Sequence, residues 1–70
     1  MASDARPFRL LGERCRRGMT QRKLAALAGL HPGNLSLVER GLLWPPKGWR
    51  FRLAAALQVL EEVLFEREAR

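Results

Sequence analysis

The sequence has a single cysteine, Cys15, and a single histidine, His31. One cysteine cannot form an intrachain disulfide, and an unpaired thiol fits the reducing cytoplasm better than a secreted setting. Together, Cys15 and His31 do not make up the ligand set of a metal site. A domain of about this length buries only about 60% of its unfolded surface. Its stability must therefore come from helix packing or from self-association.

Long apolar runs are also missing. No segment approaches the roughly 18–20 apolar residues of a membrane span, and residues 1–19 lack the apolar stretch of a secretory signal. The sequence contains no pattern of paired catalytic carboxylates, no metal-ligand cluster and no phosphate-binding loop. These absences predict a cytoplasmic protein that is not an enzyme and uses no cofactor.

Acidic residues are scarce in most of the chain, which carries a formal net charge of +6. Residues 1–60 contain eleven lysines and arginines against three acidic residues, whereas residues 61–70 contain four glutamates and two arginines. This distribution predicts a basic body that meets a polyanion and an acidic end that does not. A solvated, arginine-rich surface is the alternative explanation of the same charges.

Alternation of apolar and polar residues, the pattern of a β-strand, is almost absent. Glycine and proline instead divide the chain into short helical segments. We therefore predict a single all-α domain over residues 1–70, with its core in residues 8–65. Helix 1 is expected over residues 7–17, followed by Gly18. Its predicted inner face consists of Phe8, Leu11 and Cys15.

Two further helices are predicted close together. Thr20 is a good N-cap for a helix over residues 21–28, which Gly29 would end. A third helix follows from residue 32 to residue 40, with His31 before it as a cap or surface residue. The predicted inner faces of these two helices consist of Leu24, Leu27, Ala28, Leu35 and Val38.

A proline turn precedes the last helical part of the chain. Pro45 and Pro46 disfavour helical angles in the residues before them, so the turn should cover residues 43–47. A helix over residues 48–57 would then bury Trp49, Leu53 and Leu57. Residues 60–64 form one more helical face. The sequence allows either a break before this face or one continuous helix to about residue 66, which leaves a four- or five-helix domain.

The motif with the most specific pattern lies in residues 20–41. The segment Thr20-Gln21-Arg22-Lys23-Leu24-Ala25 is followed by Ala28-Gly29-Leu30 and then by Leu35-Ser36-Leu37-Val38-Glu39-Arg40-Gly41. This pattern resembles the helix-turn-helix of phage-repressor, Cro and xenobiotic-response-element-type regulators, and the similarity extends over residues 8–65. The resemblance implies a lambda-repressor-like bundle that binds double-stranded DNA, usually as a dimer, with helix 3 in the major groove.

The resemblance also implies which residues contact DNA. Gln21 would contact a phosphate or a base edge, and Arg40 and Lys47 would approach the backbone. Glu39 is structural in this pattern, and Arg14 is a plausible basic partner for it. The complete predicted set of DNA-binding residues is Gln21, Arg22, His31, Pro32, Gly33, Asn34, Ser36, Leu37, Arg40 and Lys47.

Three groove-facing positions depart from the family pattern, which usually has polar or charged residues there. Pro32 and Gly33 cannot donate side-chain hydrogen bonds to bases, and Leu37 can contact only apolar groups such as a thymine methyl. Asn34 remains well suited to adenine. Affinity would then depend largely on phosphate contacts and DNA shape. The alternative is a helix-turn-helix module that binds a protein, such as a toxin or a polymerase subunit.

The chain also has more large apolar residues than a 70-residue monomer is expected to bury. This predicts a homodimer, formed through the C-terminal helix and with the loop over residues 42–44 as a further contact. The residues counted as surplus are Leu37, Leu42, Leu43, Trp44, Phe51, Leu60 and Phe65.

Overall fold

The computed structural model describes residues 8–65, and this part of the chain contains five α-helices and no strand. The helices are α1 (Leu10–Arg16), α2 (Gln21–Ala28), α3 (Pro32–Glu39), α4 (Lys47–Leu57) and α5 (Glu61–Leu64). The all-α prediction is confirmed, and the fourth and fifth helices are separate. None of the helices in residues 8–65 has the length and apolar character required to cross a membrane.

The first four helices end in the same way, at a residue with a left-handed backbone conformation. These residues are Gly18, Gly29, Gly41 and Gln58. In each case the N–H of this residue donates to the carbonyl three residues earlier, and the following N–H donates to the carbonyl five residues earlier. This Schellman arrangement satisfies carbonyls that a helix end would otherwise leave without partners. The predicted ends at Gly18 and Gly29 agree with it.

Gln58 explains the break between α4 and α5 that the sequence left open. It has φ 59° and ψ 43°, and it is the non-glycine residue with positive φ within residues 8–65. In a residue other than glycine, this conformation costs about 1–2 kcal/mol. The sequence therefore gives no reason to expect it at a glutamine. The chain then runs through an extended Leu60 into α5, whose first turn contains Glu61 and Glu62. Negative charge is favourable at that end of a helix.

The core lies where α2 packs against α3 and α4, and α5 packs against α4. The predicted core residues of these helices are confirmed for Leu24, Ala28, Leu35, Val38, Leu53 and Leu57. The remaining buried apolar residues are Phe8, Leu10, Ala25, Ala54, Leu64 and Phe65. Trp49 is half-buried against this cluster. Small alanines on α2 and α4 allow the helices to approach closely, which compensates for the small number of large core residues.

Cys15 and Leu27 are wrong as predicted core positions, and the predicted inner-face residue Leu11 is only half-buried and lies outside the core cluster. Helix α1 begins at Leu10 rather than at residue 7, which lies outside the described residues, and its buried side carries Leu10 and Arg14. Cys15 is one residue further around the helix and is exposed. On α2, Leu27 is 54% exposed, because the inner face is centred on Leu24, Ala25 and Ala28.

Three aromatic rings join the beginning and the end of the described chain. The Phe8 ring centroid lies 5.3 Å from that of Trp44 and 5.4 Å from that of Phe65. Arg50 places its guanidinium 5.1 Å from the Trp44 ring centroid and donates to Glu61. Phe65 is therefore buried, and its place among the surplus apolar residues was wrong. Trp44 packs against the rings of Phe8 and Phe65 while 46% of its surface stays exposed.

Candidate nucleic-acid interface

Helices α2 and α3 form a corner joined by the three residues 29–31. Thr20 begins the unit, and its hydroxyl oxygen accepts a hydrogen bond from the Lys23 N–H at 3.0 Å. Ala25 is fully buried on α2, where a small residue lets α3 approach. Helix α4 braces the turn, because Arg52 Nε donates to the Ala28 carbonyl at 2.8 Å. The corner is thus held from both sides.

Helix α3 has a buried side and an outward side. Leu35, Val38 and Glu39 are buried. At 3.6 residues per turn, the opposite side is centred on positions 33, 37 and 40, with positions 34 and 36 at its two edges. Gly33 and Arg40 are exposed, and Leu37 is half-buried. This outward side contains several of the positions that the sequence assigns to DNA contact.

His31 caps the N-terminus of α3. Its Nδ1 accepts a hydrogen bond from the Gly33 N–H at 3.1 Å, and Pro32 occupies the first helical turn, where its missing N–H has no cost. The prediction that His31 precedes the helix as a cap or surface residue is confirmed. The imidazole satisfies one of the N–H groups that the helix start leaves free.

Glu39 ties three helices together from a buried position. The side chain is 2% exposed, and Arg14 Nε donates to Glu39 Oε2 at 2.6 Å while Arg14 Nη2 donates to Glu39 Oε1 at 3.1 Å. Arg14 also donates from Nη1 to the Met19 carbonyl at 2.8 Å. The hydrogen bonds to Glu39 raise the pKa of Arg14, against an opposing effect of burial. The predicted pairing of Glu39 with Arg14 is confirmed.

Gln21 belongs to the same network. Its Nε2 donates to Glu39 Oε1 at 2.8 Å, and the residue is half-buried at the start of α2. This contact fixes the amide against the end of α3. Such a hydrogen bond still leaves the second Nε2 hydrogen and the amide oxygen for another partner. The structure therefore gives Gln21 a structural contact that the sequence pattern alone did not indicate.

The basic side chains fall into two groups by their partners. Glu13 pairs with Arg16 and Arg17 on α1, Glu39 pairs with Arg14, and Glu61 pairs with Arg50. Within residues 8–65, no ion pair engages the exposed cations Arg22, Lys23, Arg40, Lys47 and Arg52. Arg52 donates instead to the Ala28 carbonyl, and the other four lie on α2, at the end of α3 or at the start of α4. Positive charge is thus left unneutralised around the helix-turn-helix.

A search of solved structures finds similar folds with this geometry. The restriction-modification controller protein C.AhdI from Aeromonas hydrophila matches with a TM-score of 0.78 and 35% sequence identity over 81% of this chain and 86% of that chain. This chain belongs to the Cro/C1-type helix-turn-helix family of DNA-binding regulators. A chain of the SinR protein/SinI protein complex matches with a TM-score of 0.76 and 29% identity. That match covers 83% of this chain and 57% of the other chain.

No protein-family model matches the chain, and a search of curated proteins finds no match. Membership of the family therefore stands on the structural match together with its sequence identity. The family is regulatory rather than enzymatic. Within residues 8–65, no three side chains of His, Cys, Asp or Glu lie together in a way that could hold a metal ion.

The predicted DNA-binding residues lie on one connected part of the fold. Most of them are on α3 or next to it, Gln21 and Arg22 are in the first turn of α2, and Lys47 is the first residue of α4. Pro32, Asn34 and Ser36 are half-buried rather than fully exposed. The sequence analysis did not include Lys23, which is exposed in the first turn of α2. Its position beside Arg22 could have identified it.

Proposed function

We propose that this regulator binds double-stranded DNA as a homodimer, with α3 of each copy in the major groove. The observation that carries the proposal is the set of exposed cations around α3 that no carboxylate neutralises within residues 8–65. Arginine and lysine neutralise phosphates and release counterions, which supplies much of the affinity of a DNA-binding protein. We place this binding in the cytoplasm.

The contacts divide into two classes. Arg22, Lys23, Arg40 and Lys47 flank the outward side of α3 and would lie against phosphates on either side of the groove. Asn34 would hydrogen-bond an adenine edge and Leu37 would contact a thymine methyl. Pro32, Ser36 and Gln21 would contact the DNA backbone and so fix how deeply α3 enters the major groove. Phosphate contacts then carry affinity, and few side chains carry sequence preference.

The dimer contact is assigned to α4 and α5. Phe51 and Leu60 are each 66% exposed, and Val63 is exposed beside them. Phe51 and Leu60 line a mostly apolar groove that the break at Gln58 opens between the two helices. A second copy presents the same exposed apolar side chains and the same groove, so a two-fold arrangement would bury both at once. Leu42, 67% exposed in the loop after α3, would extend this contact.

The second candidate function is binding to a protein partner. The outward side of α3 has no side chain at Gly33 and an apolar one at Leu37, which is a poor set for reading bases. One similar solved structure is a complex of two proteins, SinR and SinI. An apolar helix face of this kind could contact a protein instead of DNA.

A matched pair of arginine variants tests the DNA proposal. Arg40→Ala removes an unpaired cation at the end of α3, and Arg16→Ala removes the same charge from the exposed ion pair with Glu13 on α1. Fluorescence anisotropy with duplex DNA should give a several-fold weaker affinity for Arg40→Ala and, because each dimer loses two cations, a salt slope smaller by about 1.8. Arg16→Ala should match the parent protein. Equal effects of the two variants would contradict an interface at α3.

The dimer has its own test. Sedimentation of the parent protein should give a dimer, and Phe51→Glu should give a monomer with the same helical content. Leu27→Glu is the control, because Leu27 is an exposed apolar residue on α2, outside the proposed contact. A parent protein that stays monomeric at high concentration would refute the dimer. It would leave DNA binding by a single copy to be judged by the arginine variants.

A further inference from the structure

The outward side of α3 has glycine at position 33, where a side chain would be expected to point into the groove. The side chain of His31, two residues earlier, lies beside this position. A Cβ built on Gly33 would lie 3.3 Å from His31 Nδ1 and 3.6 Å from His31 Cε1. The imidazole therefore lies in contact with the place that the Cβ of a side chain at position 33 would take.

The cap also fixes the hydrogen-bonding state of the ring. Nδ1 accepts from the Gly33 N–H at 3.1 Å, so in the neutral imidazole this nitrogen carries no proton. The proton is then on Nε2, at the opposite corner of the ring. His31 is exposed, so Nε2–H is a donor held at the first turn of α3 and open to an external partner. The His31 ring is thus oriented by the hydrogen bond that it accepts from the backbone N–H of Gly33.

We propose that His31, through its Nε2–H, is the sequence-reading side chain that replaces the one missing at position 33. The partner is a hydrogen-bond acceptor on a base edge in the major groove, which means N7 of a purine, O6 of guanine or O4 of thymine. This inference rests on the proposed placement of α3 in the groove. It changes the account of the reading surface, because Asn34 is then joined by a second side chain that can discriminate between bases.

Glycine at position 33 leaves room for this arrangement. A Cβ at 3.3 Å from Nδ1 is closer than ordinary van der Waals contact, so Gly33→Ala would displace the ring by a few tenths of an ångström from its place at the cap. Alanine is a good helix former and keeps α3 intact. Gly33→Ala should therefore disturb the reading by His31 without unfolding the helix.

The decisive variant is His31→Ser. Serine is among the preferred N-cap residues, so the helix start keeps a side-chain acceptor, while the imidazole and its far-reaching Nε2–H are lost. Duplexes that the parent protein enriches from a random pool define its preferred base at each position. In His31→Ser, the preference should fall by about two- to tenfold at one base pair of each half-site, as expected for one hydrogen bond. Gly33→Ala should lower it at that same base pair, and Asn34→Ala should lower it at a different one.

Each other outcome has one meaning. Unchanged preferences in His31→Ser, or an equal loss of affinity for all duplexes, would overturn base reading by His31. A parent protein that binds duplexes without any preference would also overturn it, although DNA binding itself would stand. A parent protein that binds no duplex would overturn the proposed function. If His31→Ser unfolds, the imidazole ¹⁵N shifts of the parent protein decide, since a ring with its proton on Nδ1 and none on Nε2 would contradict the proposed donor.

Discussion

Replacing Glu39 by alanine should destabilise the domain more than any exposed ion-pair substitution. Glu39 accepts two hydrogen bonds from Arg14 and one from Gln21, and its carboxylate is almost fully buried. Glu39→Ala removes all three at once. Of the contacts described above, the Arg14 guanidinium would then keep only the hydrogen bond to the Met19 carbonyl. A buried charge without its partner is the main source of the loss.

The size of the effect follows from the burial of Arg14. Removing one partner of a fully buried ion pair costs about 3–5 kcal/mol. Arg14 keeps 12% of its side-chain surface exposed, so the guanidinium can turn partly towards water, and we expect a loss of about 2–4 kcal/mol. The total stability of a chain of this length is about 4–10 kcal/mol. At about 4–8 °C per kcal/mol for a domain of this size, the melting temperature should fall by about 8–32 °C.

The assay is thermal unfolding followed by circular dichroism, with urea unfolding as a second measure of the free energy. Glu13→Ala is the matched control, because its partners Arg16 and Arg17 are much more exposed. Exposed pairs contribute about 0–1 kcal/mol. The pair Arg14→Met and Glu39→Gln, measured singly and together, should show that the double variant loses less than the sum. A loss below 1 kcal/mol in Glu39→Ala would refute the proposed role of the network.

Three further outcomes are expected. Gln58→Gly should raise the free energy of unfolding by about 0.5–1 kcal/mol in urea, because glycine adopts the left-handed conformation without strain; no gain would contradict the strain at α4. Gly29→Ala should lower it by about 1 kcal/mol at φ 70°, and an unchanged value would argue against the turn geometry. The Arg17 hydrogen bond lowers the pKa of Glu13 from 4.5, so its stabilising effect is complete above that pH and is lost as the pH falls through the folded-state value. Glu13→Gln should therefore flatten the acid side of the stability curve, and an unchanged curve would exclude this contribution.

Much of the fold could be predicted from local signals. Thr20 as a cap, Gly18 and Gly29 as helix ends and the bounds of α2 follow from rules about single turns of helix. The helix-turn-helix pattern adds one long-range contact, since it predicts that Glu39 pairs with a basic residue of α1. These predictions succeed because the relevant contacts are set within a few residues or by a shared family pattern.

The errors have a common physical cause. Helical periodicity states which residues share a face, but it does not state which face the tertiary structure buries. Cys15 and Leu27 were assigned to inner faces because they are apolar, whereas the packing selects the small Ala25 and the charged Arg14 instead. Phe65 was expected to be surplus because its partner Phe8 lies 57 residues away in the sequence.

The reading surface was the part least open to prediction. The sequence presents Gly33 as a position without a side chain, but it does not indicate that the His31 ring lies against this position in the folded domain. A histidine at an N-cap is also uncommon, because serine, threonine, aspartate and asparagine are preferred there. His31 and Gly33 are two positions apart in the chain. The contact between them depends on the rotamer of the histidine side chain, which the sequence composition does not predict.

The central claim, that this protein binds duplex DNA through the cations around α3, is tested most directly by the salt dependence of binding. Fluorescence anisotropy would follow a labelled duplex across a series of salt concentrations. Four unpaired cations per copy and two copies predict a log–log slope of roughly −4 to −7, at about −0.9 for each phosphate neutralised. Tight binding that weakens steeply with salt would support the account. No binding at about 50 mM salt, or a slope near zero, would contradict it.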